Sequence, residues 1–484
     1  MKDTKLIQIL KTFSKVEIKE FEKFVASPYF SRGRDLNPFY KILKSFHPDF
    51  NKSIFTYESI FKKLYPKEKY KKSSAENVIR VLSTEMVKLA DKFLSYEEFQ
   101  SHKLRNRMSL IQVYITRKLN KLYIKLFDDT QQNLDKLIDG YTTKDFFELY
   151  VLKMYAQMFS IHNNDKVKNK SILESQAYLL MVIFMCTANS IDNSYKGNMA
   201  YNLDKEDDLA ENLMRNFDYS NFITYLNKKT GLRKIDKELL ELCLYGLLYT
   251  LDRDNEDIVL RLEYLFYKYK HLFRNDHKLE FYFKLNDAFD KRNDLKKSNI
   301  LYRKLLEDEI YGQHNHMPFV VFMNILFYFA ETKPDDAETF ILEYSEILNT
   351  DKKDSFINYG YALIEFKRKN FEIALGYISK VDNAFFFFKY HLKTLYLQIY
   401  YELGYTEEAN SMIDSFRHFL KNNKNVPEGR ALRHKIFMGY YKKLQNLKFS
   451  TDKSDLQKLN KDILKEEKIL FFKNWFLDKI KELR

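Results

Sequence analysis

The chain holds 484 residues, 45% of them hydrophobic and 31% charged, with a formal net charge of +14. This composition is globular rather than disordered, and the length leaves room for one long repetitive core or two to three compact domains. Only 11 Gly and 7 Pro are present, about a third of the usual share, which excludes folds built on tight turns or glycine-rich phosphate loops and leaves an all-α protein.

Ser14-Lys15-Val16-Glu17 is a capping box, flanked by Phe13 and Ile18 at hydrophobic-staple spacing. It opens a helix that Ser27-Pro28 should stop. A second short helix is expected from Leu36 to Phe46, ended by His47-Pro48, and Thr56 should cap a third that ends near Tyr65-Pro66. Ser73-Ser74-Ala75-Glu76 reads as another capping box, opening a long helix with Val78, Leu82, Met86, Leu89 and Phe93 three and four residues apart. Residues 1–100 thus form an N-terminal helical module. From Leu104 to Leu126 the apolar positions alternate four and three apart, which predicts one long amphipathic helix. Further helices are expected over 146–162, 172–188, 209–226 and 237–249, so that 101–276 is a run of helical hairpins with scope for irregular repeats. No strand alternation competes with this period.

Repetition is strongest from about 277 onward. Ala362 lies in one helix, Lys369-Asn370 form a short polar turn, and Phe371 and Ala374 open a second helix. The next segment repeats the plan, with Tyr400, Gly404, Ala409, Ile413 and Phe416. Ala374 and Ala409 are 35 residues apart, Ala337 and Ala374 are 37 apart, and Ala337 follows Ser298 by 39. This pattern resembles the tetratricopeptide repeat, in which small residues let two helices cross closely. The resemblance covers about a third of the chain and implies four degenerate hairpins between about 277 and 422. The family's tryptophan position holds Asn358 and Lys393 here, while Tyr400 keeps the first-helix tyrosine of the last pair. It further implies an α-α solenoid over 277–445, with a concave groove built by the first helix of each hairpin. The groove-facing positions it implies include Tyr359, Phe366, Lys367, Gln398 and Tyr401. Residues 446–484, with the sole Trp475, are expected to form a capping helix over the last hairpin.

The charge is concentrated at the N-terminus. Residues 1–125 hold 27 Lys and Arg against 13 Asp and Glu, and no acid occurs from Phe99 to Phe127. Within that window Lys103, Arg107, Lys118, Lys121 and Lys125 lie beside the apolar stripe and make one basic helix edge. A codon bias that inflates lysine would act equally on the rest of the chain, where acids match bases. The basic quarter therefore reads either as a solvated face or as a surface for an acidic partner: nucleic acid, an anionic membrane surface or an acidic protein. Phe55 to Leu94 resembles the helical part of winged-helix activator domains, with Asn77, Arg80, Thr84 and Lys88 on the polar side of the longer helix. No strand pattern for a wing flanks it, and Glu76, Glu85 and Asp91 would face phosphates poorly.

Chemistry-bearing motifs are absent. There is no GxxxxGK[ST], GxGxxG, HExxH, CxxC or GxSxG, so no catalytic site, metal site or cofactor is expected. His314 and His316 are two histidines without a third ligand. Cys186 and Cys243 read as small core hydrophobes of a reducing compartment, and most of the 42 Phe and 36 Tyr as core filler. The first residues lack a signal-peptide run, and the most apolar stretch, Tyr178 to Ala188, is shorter than the roughly 20 residues a bilayer core requires. The expectation is a cytoplasmic, non-enzymatic protein that binds a protein or peptide through its repeat groove. The alternative is a DNA-binding transcriptional regulator, with the basic module on the duplex and the repeats as sensor.

Overall fold

A computed structural model describes residues 3–483, apart from 32, 52, 163–168, 202–207, 229–230, 293, 312–315, 349, 351, 383–388, 424–425, 427, 451–453 and 467–469. Among the described residues every extended element is an α-helix and there is no strand; the only β pairings are isolated bridges, Tyr141 to Phe273 and Met317 to Leu348. The chain divides into two units, Met1–Asp139 and Gly140–Arg484.

In the N-terminal unit, α1 (Lys5–Thr12), α2 (Lys15–Ala26) and α4 (Tyr57–Leu64) pack on α5 (Lys72–Ser101), and α3 (Asn37–Lys44) packs on α2 and α4. The capping box at Ser14 forms: the hydroxyl accepts from the Glu17 N–H at 3.1 Å, and the Glu17 carboxylate accepts from the Ser14 N–H at 2.7 Å. Thr56 caps α4 by accepting from the Ser59 N–H. The second expected box does not form. Helix α5 begins at Lys72, which puts Ser73 inside the first turn, and no side chain caps it. The core is aromatic, with Phe21 within 5.4 Å of the Phe13, Tyr40 and Phe93 rings and the buried Tyr40 hydroxyl donating to the Ile18 carbonyl.

The expected single helix from 104 to 126 is a hairpin of α6 (Lys103–Thr116) and α7 (Asn120–Gln132), followed by the one-turn α8 (Leu134–Leu137). Lys118 takes a left-handed φ of 57°, and the Leu119 N–H bonds back to the Tyr114 carbonyl at 2.9 Å. That is a Schellman closure made with lysine instead of glycine, so the sequence carries no glycine to mark it. The apolar period runs through the turn unbroken, which hides it. The hairpin belongs to the N-terminal unit.

In the second unit, α10 (Asn169–Tyr201) packs against α9 (Thr143–His162) and α13 (Lys234–Leu251). Its Ser171–Gly197 stretch is long and apolar enough to cross a membrane by length and composition, with a mean hydropathy of 1.5. It therefore exceeds the short apolar run read from the sequence. Its two acidic residues are nevertheless paired inside the unit: Glu174 with Lys153 at 2.7 Å, and Asp192 with Arg253 at 2.7 Å and with Lys284. Paired and nearly buried charges on such a helix mark a core helix. Cys243 is buried in α13, but Cys186 is exposed on α10, contrary to the core role expected of both. The segment 209–226 is two helices, α11 (Leu209–Arg215) and α12 (Tyr219–Asn227), capped by Asp208 and Asp218.

Helices then follow in antiparallel succession. α14 (Glu256–Tyr269) packs on α13, and α15 (Asn275–Lys291) on α13, α14 and α16 (Leu295–Glu307). α17 (Phe319–Thr332) pairs with α18 (Pro334–Tyr344), α19 (Lys353–Lys367) with α20 (Phe371–Ile378), and α21 (Lys389–Leu403) with α22 (Thr406–Asn422). First helices also touch one another, α17 with α19 and α19 with α21. This is an α-solenoid. Ser298, Ala337, Ala374 and Ala409 are all fully buried near the start of a second helix. Gly360 serves the same close approach: a Cβ there would meet Ile341 Cδ1 at 2.7 Å and Leu326 Cδ2 at 2.9 Å. Lys369, at φ 66°, and Gly404, at φ 75°, turn the last two hairpins with the same six-residue closure seen at Lys118.

Successive hairpins are also joined by polar bonds one repeat apart. Arg253–Asp287, Tyr328–Asp290, Arg303–Asp336, Arg368–Asp335 and Tyr405–Glu372 link residues 33 to 38 positions apart. After α23 (Glu428–Phe449), the stretch 446–484, where one capping helix was expected, holds two helices among its described residues, α24 (Asp455–Lys465) and α25 (Leu470–Glu482). α25 shields the last hairpin: Trp475 Nε1 donates to Glu402 at 3.0 Å and its ring lies 5.4 Å from that of Tyr401.

Candidate binding groove

First helices of a solenoid share one side, and in the second unit that side is indented. A cavity of about 340 Å³ is lined by residues of α15, α17, α19, α21 and α23, with Phe472 of α25 closing one flank. Against roughly 30 Å³ per water in the liquid, it has the volume of about ten waters. Its residues change in character along the series. On α15 stand Asn286 and Asp290; on α17 and α19 stand Phe319, Phe327, Tyr328 and Tyr359; on α21 and α23 stand His391, Arg433 and His434. One end is acidic, the middle aromatic and the far end basic.

The α15 end is the most constrained. Tyr328 donates its hydroxyl proton to the Asp290 carboxylate. Burial pushes the Asp290 carboxyl above its usual range, partly offset by that bond and reinforced by the charge of Asp287. Tyr328 is itself held protonated, because burial and the adjacent Asp290 both disfavour a phenolate. Asn286, one helical turn before Asp290, is 8% exposed. Its Oδ1 is buried without a hydrogen-bond partner, which in general costs about 1–3 kcal/mol.

Of the five expected groove positions, Tyr359 lines this cavity. The other four lie elsewhere. Phe366 is buried with its ring 5.6 Å from Phe371, inside its own hairpin. Lys367 is paired with Glu331 of the preceding hairpin. Gln398 is buried on α21. Tyr401 is covered by Trp475, while Lys448 Nζ sits 4.4 Å from its ring centre. Tyr401, 35 residues after Phe366, is thus roofed by the tail where Phe366 is covered within its own hairpin. Asn286, Asp290 and Arg433 were not singled out from the sequence. The only signal there was an Asn and an Asp four apart in an otherwise apolar helix face.

The basic residues of the N-terminal unit divide between two helices. Lys103 is exposed on α6; Lys118 is exposed in the turn; Lys121 and Lys125 are exposed on α7. Arg107 faces the hairpin partner and pairs with Asp129. Leu110, Val113, Leu119, Leu122 and Ile124 are exposed on the same hairpin. His314 lies outside the described residues and His316 is exposed. Among the described residues, no cluster of three His, Cys, Asp or Glu is placed to hold a metal ion. No protein-family model, curated protein or solved structure matches the chain.

Proposed function

We propose that the chain is a non-enzymatic, cytoplasmic interaction protein whose tetratricopeptide-like solenoid receives a partner polypeptide in this groove. The observation that carries the reading is that five successive first helices converge on one aromatic-lined cavity. A solenoid offers a continuous surface from repeating units, and a bound segment gains affinity from several shallow contacts plus a few anchored side chains. Phe319, Phe327, Tyr359 and Phe472 supply large apolar area with little side-chain entropy to lose. The test is affinity purification of wild-type and Val320→Arg protein from the native host, with quantitative mass spectrometry. Val320 is 42% exposed at the rim, so an arginine there obstructs the cavity without entering the core. Proteins recovered with the wild type should be depleted at least tenfold with the variant. Equal recovery would remove the groove as the binding site.

A second reading rests on the exposure of Lys103, Lys118, Lys121 and Lys125 on a hairpin that carries no acid before Asp128. It makes the N-terminal unit a duplex-binding surface. Binding to phosphates would give steep salt dependence, and reversing the charge of Lys118, Lys121 and Lys125 would abolish it. No retardation of random duplex DNA at micromolar protein and 50 mM salt would end that reading. The winged-helix likeness gives it no help, since no strand occurs among the described residues of the N-terminal unit.

A further inference from the structure

Resting on the groove reading above, we propose that the α15 end of the cavity is a socket for the guanidinium group of an arginine side chain on the partner polypeptide. Two observations carry it. Asn286 Oδ1 is a buried acceptor without a donor, at the wall of an accessible cavity. Asp290, one turn along the same helix face, is a carboxylate that no Lys or Arg among the described residues pairs with; it accepts a hydrogen bond from Tyr328. The floor therefore offers two acceptors, one of them without a donor. Side chains four apart on a helix stand about 5–6 Å apart at Cβ, a spacing the planar fork of a guanidinium can bridge with separate N–H groups.

The walls fit the rest of the side chain. Phe319, Phe327 and Tyr359 line the same cavity; aromatic faces attract a guanidinium plane, and a three-carbon stem packs well against apolar rings. Arg433 and His391 line the opposite end, so a second cation is disfavoured there and the segment's orientation is fixed by charge. Lysine fits less well, because its ammonium is a strongly hydrated point charge that cannot span both acceptors in one plane.

The test uses the full chain and three probes: N-acetyl-Ala-Arg-Ala-amide, the same peptide with citrulline for arginine, and n-butylguanidinium. Citrulline replaces the guanidinium with a neutral urea of nearly the same shape. Ligand-observed NMR titrations should give saturable millimolar binding of the arginine peptide, at least about tenfold tighter than the citrulline peptide, as expected for loss of a charge-assisted pair. Asp290→Asn should erase most of that preference, and Asn286→Asp, which adds a second carboxylate, should increase it. Equal binding of the two peptides, or an unchanged preference in Asp290→Asn, overturns the socket. So does binding of n-butylguanidinium with exclusion of the arginine peptide, which would mark a small-molecule site. Should Asp290→Asn fail to fold by circular dichroism, the two-peptide comparison on wild type and the Asn286→Asp titration still decide. Partner recovery separates this proposal from the groove reading. Loss with Val320→Arg but full retention with Asp290→Asn leaves the groove standing and removes the socket.

Discussion

The sharpest stability prediction concerns Asp192, whose carboxylate lies between Arg253 and Lys284 in the core of the second unit. The side chains of Asp192, Arg253 and Lys284 are 9%, 12% and 7% exposed. Arg253 also bonds Asp287 at 2.9 Å, and Lys284 also bonds the Thr250 hydroxyl at 2.8 Å. In Asp192→Ala the arginine keeps a carboxylate and the lysine keeps only a hydroxyl. Breaking a buried pair by removing one partner costs about 3–5 kcal/mol, whereas an exposed pair such as Lys62–Glu58, with both side chains at least half exposed, contributes about 0–1. Burial already depresses the Lys284 ammonium, and the Asp192 charge and hydrogen bond oppose that. Without Asp192 the depression deepens. An unfolded lysine keeps its proton to about pH 10.4, so between the folded and unfolded values the unfolded state binds more protons and stability rises with pH. Urea unfolding followed by circular dichroism should show Asp192→Ala about 3–5 kcal/mol less stable than wild type at pH 7. Part of that loss should return by pH 9.5, and Asp192→Ala with Lys284→Met should restore more of it at pH 7. A loss below about 1 kcal/mol, or one independent of pH, would refute the reasoning.

Four further outcomes are expected. Lys369→Gly should stabilise the second unit by about 1 kcal/mol, because a left-handed lysine carries a steric cost that glycine lacks. Gly140→Ala should destabilise more than Gly404→Ala, since both have positive φ but only at Gly140 would a Cβ meet backbone, at 2.8 Å from the Arg274 nitrogen; paired urea melts measure both. Trp475→Ala should cost about 3–5 kcal/mol and expose α24 and α25 to limited proteolysis, because it uncovers Tyr401 and takes a donor from the Glu402 carboxylate, which is 9% exposed. Glu238 is raised by burial but held below its usual range overall by hydrogen bonds from Lys268 and Tyr269. Its stabilising contribution is complete above the unfolded value near 4.3 and lost as pH falls below it, so Glu238→Gln should narrow the stability difference between pH 7 and pH 3.5.

Helices, and most of their boundaries, were legible because scarce glycine and proline, strong caps and a sustained 3.6-residue period all pointed one way. The failures have local causes. At Lys118 a turn was closed by lysine in a conformation usually assigned to glycine, so nothing interrupted the period. At Ser73 a capping pattern lay within the first turn of a helix that began one residue earlier. Cys186 sits among apolar neighbours in sequence, yet its helix turns it outward. The groove was legible as a side of the solenoid but not as a set of residues. Which face of each first helix looks inward depends on how each hairpin rotates on the last, and the tail helix roofs Tyr401 in a way no local pattern encodes. Asn286 and Asp290 became visible only when burial was known, because an orphaned acceptor is a property of packing.

Hydrogen–deuterium exchange on the chain with and without its captured partner tests the central claim most directly. The account predicts new protection in α15, α17, α19 and α23, centred on 286–290 and 319–328, with 103–132 unchanged. Protection confined to 103–132, with the solenoid helices exchanging as in the free chain, would contradict it.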